Sequence, residues 1–236
     1  MSTTWFFAPD IATTLQLPEE EAKHAIKVLR HKAGDTLQVA DGKGMLYTVT
    51  LLLAHPKKAA VRIEERECVQ PPRDFHLHLA VAPTKNSSRM EWLLEKATEI
   101  GVEEISFLQC EHSERQRVKL DRWQRIVVSA MKQSRKTRLP ILHDLQPLRQ
   151  WMQQDFAGQR FIAHLSESAQ PLGRVLVPKG RVTLLVGPEG DFSEEEVRGA
   201  QQNGFQSVTL SPYRLRTETA ALVAVEQCNF MHQMKE

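Results

Sequence analysis

The sequence predicts an α/β protein, a mainly parallel sheet covered by helices on both faces and preceded by a small β-rich module. Three observations carry this expectation. After residue 74, short apolar runs alternate with amphipathic helical stretches, the pattern of strand–helix–strand crossovers. Between residues 36 and 66, several short strand patterns follow one another around Asp41-Gly42-Lys43-Gly44, a hairpin turn. Between these regions lies Val69-Gln70-Pro71-Pro72-Arg73-Asp74, whose paired prolines force extended backbone and remove hydrogen-bond donors. The expected domains are therefore residues 1–70, a small barrel adequate as a binding module, and residues 74–236.

Each element has a local reason. Trp5-Phe6-Phe7 reads as a short strand. Pro18 and three following glutamates open a helix, with acids at the positive end of the dipole. Ala22, Ala25, Ile26 and Leu29 form its apolar stripe, and Gly34-Asp35 stops it. Strands are expected over 36–40, 45–53 and 59–65. In the second domain a strand over 75–82 places His76 and His78 on one face, as edge or half-exposed residues rather than ligands. A helix follows over 88–100, with Met90, Leu93, Leu94 and Ala97 inward and Gly101 as its stop. Then come a strand over 105–109, helices over 120–134 and 148–156, and strands over 161–165 and 182–186. A helix over 194–203, a strand over 207–210 and a last helix over 217–233 complete the chain. That last helix carries Ala220-Ala221-Leu222-Val223-Ala224-Val225, which has no polar face. It is covered either by a second subunit or by central burial in one chain.

Composition excludes some classes. Hydrophobic residues make up 41% and charged residues 25%, as in globular domains, and no apolar run approaches the length of a membrane span. The N-terminus lacks the basic and apolar regions of a secretory signal. Three widely spaced cysteines point to reduced thiols in the cytoplasm. Cys110-Glu111-His112 lacks a second ligand pair at zinc spacing, so a small buried thiol and no metal are expected. Charge is uneven. Residues 115–138 hold nine basic residues and one acid, a local net of +8 in a chain of net +2. Such a stripe is either an electrostatic footprint for nucleic acid or a solvated helix face.

Two stretches carry the chemistry. Leu184-Leu185-Val186 leads into Gly187-Pro188-Glu189-Gly190, then into Ser193 with Glu196 three residues on, a capping box. This is strand, bare-backbone turn and helix, and ligands of parallel sheets sit at such turns. Leu210-Ser211-Pro212-Tyr213-Arg214-Leu215-Arg216-Thr217-Glu218-Thr219-Ala220 repeats the plan, with Thr217 as candidate cap. In a parallel sheet both loops emerge at one edge and can wall one pocket. No lysine follows the glycines as a P-loop requires, which makes a nucleotide-phosphate site at this turn the weakest rival.

Taken together, Gly187-Pro188-Glu189-Gly190 and Leu215-Arg216-Thr217-Glu218-Thr219-Ala220 resemble the ribosomal RNA small subunit methyltransferase E family, of the SPOUT class. The resemblance runs nearly end to end. His24 with Val28-Leu29-Arg30 and Gly34-Asp35 is similar to the family's PUA-like module. Arg89-Met90-Glu91 with residues 96–102 is similar to its first core helix, and Ser113-Glu114-Arg115 and Gln133-Ser134-Arg135 to its central motifs. The sequence departs at Asp191 and Ser211, where the family commonly has glycine, and at Arg214, where it has an aliphatic residue.

The resemblance implies a SPOUT-type parallel sheet with a C-terminal trefoil knot behind a PUA-like β-barrel, an exception to the rule against knots. It implies a homodimer that methylates N3 of uridine 1498 in 16S rRNA of the small ribosomal subunit, using S-adenosylmethionine. It places the cofactor against Leu165, Val186, Gly187, Pro188, Glu189, Gly190, Leu210, Ser211, Leu215, Thr217 and Ala220. RNA would be met by Lys23, Arg30, Arg89, Arg115 and Arg135, although Arg135 is equally readable as surface charge. Arg216 and Glu218 are the catalytic candidates. Glu218 either accepts the N3 proton or serves the helix dipole. Arg216 either stabilises the uridine anion or pairs with Glu189 or Glu218. Ribose 2′-O methylation and a non-catalytic ribosome-assembly role are the rival functions.

Overall fold

The computed structural model describes residues 4–164, 166, 169–177 and 179–234. They form two compact units, one of residues up to Pro72 together with Val128–Leu139, the other of Arg73–Val127 with the chain from Pro140 onward.

In the first unit, β1 (Trp5–Phe7) is followed by α1 (Ile11–Thr14), α2 (Glu19–Lys23) and a π-helical turn, His24–Val28. β2 (Thr36–Ala40), β3 (Met45–Leu53) and β4 (Ala60–Cys68) complete a four-stranded sheet in the order β1-β2-β3-β4, with β1 parallel to β2. The core is Phe6, Ile11, Leu37, Val39, Val49 and Leu51 with Ala22 and Ala25 of the helix. The expected stripe ended on Leu29, yet Leu29 is exposed. The π turn is the reason, because its wider winding rotates the following residues off the apolar face. Helix ends there too: Arg30 turns to φ 61°, so Gly34 is not the stop. Asp41 holds the hairpin, its Oδ1 accepting from the amides of Lys43 (2.7 Å) and Met45 (3.0 Å).

The second unit begins with β5 (Phe75–Val81), α3 (Ser87–Ile100), β6 (Glu104–Gln109) and α4 (Leu120–Gln133), the last of which runs on past Val127. β7 (Ile141–Pro147), α5 (Leu148–Trp151), β8 (Gln159–Ala163), β9 (Gln170–Pro171) and α6 (Leu172–Val175) follow. β10 (Gly180–Val186), α7 (Glu194–Gln202), β11 (Gln206–Thr209) and α8 (Thr217–Gln233) end it. The seven strands are ordered β7-β6-β5-β10-β8-β11-β9, and every pairing is parallel. Strand β10 thus inserts between β5 and β8, and β11 lies beyond β8.

Both faces are covered. Met90, Leu93, Leu94 and Ala97 of α3 are fully buried, as are Ala221, Ala224, Val225 and Cys228 of α8. Trp151, Phe156, Phe192, Ala200 and Phe205 cover Ala80, Ala82, Ile162 and Leu185 in a second cluster. Three expectations need correction. Strand β7 was not expected, because it is an edge strand with no fully buried residue and its sequence carries His143, Asp144 and Gln146. The helix expected over 148–156 stops at Trp151, and the rest of the segment reaches the same core through turns. His78 is neither at an edge nor half-exposed. It is buried beneath Trp151 (ring centroids 5.7 Å apart), with Nε2 2.8 Å from Ser106 Oγ and Nδ1 3.4 Å from Glu104. His78, Glu104 and His143 bring their polar atoms within 4.8 Å of one another, and Arg181 donates to the same Glu104 carboxylate at 3.1 Å.

Candidate functional site

Because all seven strands run the same way, the loops after β5, β6, β8, β10 and β11 gather at one edge of the sheet. There the β8, β10 and β11 ends enclose an open cavity of ≈ 590 Å³. From β10 and its loop come Val186, Gly187, Pro188, Glu189 and Asp191. From β11 and its loop come Leu210, Ser211, Leu215, Thr217 and Ala220, with Tyr213 and Arg214 at the same wall. Ala163 and His164 close it from β8. Of the residues expected from sequence, Leu165 lies outside the described residues. Gly190 is next to the lining but serves it indirectly. A Cβ there would come 2.9 Å from His112 Cβ, so only glycine allows the loop after β6 to approach this turn.

The β10 loop is held by its neighbours. Asp191 N–H donates to Pro188 O (3.0 Å), which closes the Pro188–Asp191 turn. Asp191 itself sits at φ 63°, the left-handed conformation that glycine adopts readily and that Asp and Asn tolerate. This accounts for a residue that departs from the expected glycine. Its Oδ1 accepts from Phe192 N (2.8 Å), and its carbonyl lies 3.1 Å from His112 Nδ1. Ser193 caps α7 in a full capping box with Glu196, as expected, and Glu196 Oε1 also accepts from Glu111 N at 2.8 Å. Cys110, buried, has its thiol pushed up by burial and is a neutral core thiol, with its amide bonded to Ser113 Oγ.

In the β11 loop, Thr209 Oγ1 donates to Ser211 O (3.0 Å), and Ser211 Oγ accepts from Tyr213 N (3.1 Å). Tyr213 is left 78% exposed at the cavity rim. Thr217 is not the cap. Arg216 occupies that position with extended backbone and no capping side chain, while Thr217 is the first helical residue and buried. His164, which the sequence did not single out, stands in the cavity with Nε2 3.0 Å from Ser207 Oγ. Burial holds its imidazole below the usual histidine range, against a smaller opposing pull from Asp191.

The catalytic candidates stand beside the cavity, next to its lining residues Leu215 and Thr217. Neither Arg216 nor Glu218 lines the cavity. Arg216 is exposed. Glu218 is buried, with Oε1 3.5 Å from Arg89 Nε and Oε2 without a hydrogen-bond partner among the described residues. Arg89 also lines a second open cleft of ≈ 690 Å³, together with Lys85, Asn86, Glu114 and Glu189. Glu189 belongs to both cavities.

Much of the basic run is committed to protein. Arg115 donates to Thr84 O (2.8 Å), Lys85 O (2.5 Å) and Ser87 Oγ (2.9 Å), bracing the loop in which Asn86 caps α3. Arg122 bonds Glu91, Lys132 bonds Glu21, and Arg138 bonds Lys43 O. Arg117, Lys119 and Arg125 are exposed, as are Arg30 and Arg135. Lys23 pairs at the surface with Glu19. The formal charge of the run therefore overstates the field it offers to a partner.

An all-parallel sheet whose C-terminal loops wall one cavity, joined to a separate small sheet, defines a class. Residues 71–229 match the model of the RNA methyltransferase domain, and residues 17–64 that of the RNA methyltransferase PUA domain. A probable rRNA-methyltransferase from Porphyromonas gingivalis superimposes with a TM-score of 0.92 at 40% identity, over 99% of this chain and 100% of that one. A ribosomal RNA small subunit methyltransferase E from Neisseria gonorrhoeae, bound to S-adenosyl methionine, gives a TM-score of 0.85 at 29% identity over 95% of each chain. The ribosomal RNA small subunit methyltransferase E of Aquifex aeolicus is 32% identical over 222 residues, 89% of this chain and 92% of the relative. The chain belongs to the ribosomal RNA small subunit methyltransferase E family.

Proposed function

We propose that this chain, as a cytoplasmic homodimer, transfers a methyl group from S-adenosylmethionine to N3 of uridine 1498 in 16S rRNA. The observation that carries the reading is the cavity at the sheet edge, walled by two loops that are distant in sequence. Its apolar wall of Val186, Leu210, Leu215 and Ala220, with the peptide groups of 187–189 and 210–211, suits an adenosine and a methionine moiety. S-adenosylmethionine supplies an activated methyl group on a sulfonium sulfur. Ser211 and Thr217 give hydroxyls. Threading of the chain after β10 into a trefoil knot, and closure of the small sheet into a PUA-like barrel, belong to the same reading.

The residues of the chain must then bring an unpaired base to this cavity, because N3 lies on the Watson–Crick edge. Tyr213 at the rim offers a stacking face. Arg30, Arg135 and Lys23, with the exposed Arg117, Lys119 and Arg125, orient the phosphate backbone. Arg115 contributes by holding the 84–87 loop. Dimerisation is supported by α8, where Leu222 and Val223 are only half-buried and Phe230 is 52% exposed. Calorimetry with S-adenosylmethionine, and nucleoside mass spectrometry of rRNA from cells lacking the protein with and without add-back, test the proposal. Loss of 3-methyluridine restored by add-back is expected. No cofactor binding, or loss of a ribose 2′-O-methyl group instead, would overturn it.

A further inference from the structure

A second cleft adjoins the cavity at the sheet edge through Glu189. Its chemistry is set by Arg89. The Arg89 side chain is 38% exposed, and its partner Glu218 only 8%. A buried carboxylate requires a countercharge, and Arg89 Nε supplies it at 3.5 Å. The Nη groups of Arg89 have no hydrogen-bond partner among the described residues, so a fork of donors is left on the cleft side. Lys85, the other cation there, is largely exposed and pairs with Glu114 at 2.8 Å. The loop that carries Lys85 and leads into α3, where Arg89 sits, is fixed by the Arg115 brace, by the Asn86 cap, and by Lys85 N donating to Glu189 Oε1 at 3.3 Å.

Resting on the reading above, we propose that this cleft is the uridine subsite and that Arg89 is a catalytic residue in it, stabilising the N3-deprotonated uracil. When the N3–H bond breaks, its electron pair stays on N3 and spreads onto O2 and O4, while the proton passes to water in the open cleft. The edge that results has only acceptors, and a guanidinium fork matches two neighbouring acceptors of one plane. Glu218 is then a positioning residue. It fixes Arg89 from behind and touches neither cavity. This explains why an acid beside the site lies buried instead of facing a substrate proton.

The test uses the full-length wild-type protein with Arg89→Ala, Arg89→Lys and Glu218→Gln variants. Each is assayed on small ribosomal subunits carrying uridine or 5-fluorouridine, whose N3 proton is more acidic. On uridine subunits Arg89→Ala is expected to lower kcat about 10²-fold, with Arg89→Lys and Glu218→Gln intermediate. The rate of Arg89→Ala should keep rising to a more alkaline pH than wild type. The deficit should shrink about tenfold on fluorinated subunits, because a more acidic N3 needs less help. Calorimetric affinity for S-adenosylmethionine should stay within about twofold of wild type. An equal deficit on both substrates, an unshifted pH profile, or a parallel fall in cofactor affinity overturns the role of Arg89. If Arg89→Ala does not fold, the same comparison with Arg89→Lys decides. Wild-type protein that makes no 3-methyluridine at all would instead overturn the parent reading.

Discussion

Asp191 is where sequence departure, backbone geometry and the candidate cavity meet, so its substitution is the most informative. The residue sits at φ 63° and spends its side chain on Phe192 N at 2.8 Å. A β-branched residue in this conformation is strained by about 1–2 kcal/mol. Losing the side-chain hydrogen bond costs about 0.5–1.5 kcal/mol more. Asp191→Val should therefore destabilise the fold by about 1.5–3.5 kcal/mol, the two terms acting together. Asp191→Asn keeps both the tolerance of this conformation and an acceptor, and should lie within about 0.5 kcal/mol of wild type. Asp191→Gly removes the strain but loses the hydrogen bond and adds about 0.4–1 kcal/mol of unfolded-state entropy, so it should fall between them. Urea denaturation of the four proteins measures the order. Because Asp191 lines the cavity and its carbonyl anchors His112, cofactor affinity should fall in the same order. Asp191→Val as stable as Asp191→Asn would refute the reasoning, since the left-handed backbone would then impose no constraint.

Other consequences are more direct. Ser193→Ala removes the N-cap of α7 and half of its capping box, and should cost about 1 kcal/mol in thermal or urea denaturation, with Ser193→Asp close to wild type. Burial lowers the His78 pKa from 6.5 to about 4, a change moderated by Glu104 and reinforced by His143, His76 and Arg181. A base whose pKa is depressed on folding is neutral in the native state and takes up protons on unfolding. Its contribution is thus full above the unfolded value of 6.5 and is lost as pH falls towards 4. That amounts to up to ~3 kcal/mol, and the pH dependence of stability in this window should flatten in His78→Gln. Tyr213→Ala should raise the KM for rRNA about tenfold while Tyr213→Phe does not, with calorimetric affinity for S-adenosylmethionine unchanged in both. A fall in cofactor affinity would move Tyr213 from the RNA to the donor.

The sequence by itself determined the elements whose cause is local. The capping box at Ser193, the apolar stripe of α3, the hairpin at Asp41 and the two strand–loop–helix junctions all follow from spacings within one segment. It also determined that both junction loops share one cavity, because parallel strands deliver their loops to one edge. Other features answer to contacts between segments. Strand β7 is polar and exists because β6 offers it an edge. The buried state of His78 depends on β5 being interior to the sheet, and that depends on β10 entering between β5 and β8. The partner of Glu218 could not be read from its neighbours Arg216 and Thr217. Arg89 lies 129 positions earlier, on α3, and only the packing of α3 against α8 brings the two charges together. Spacing along the chain encodes which residues share a face of one element. Which faces meet is decided by burial summed over the whole core, and that packing is what sets Arg89 beside Glu218.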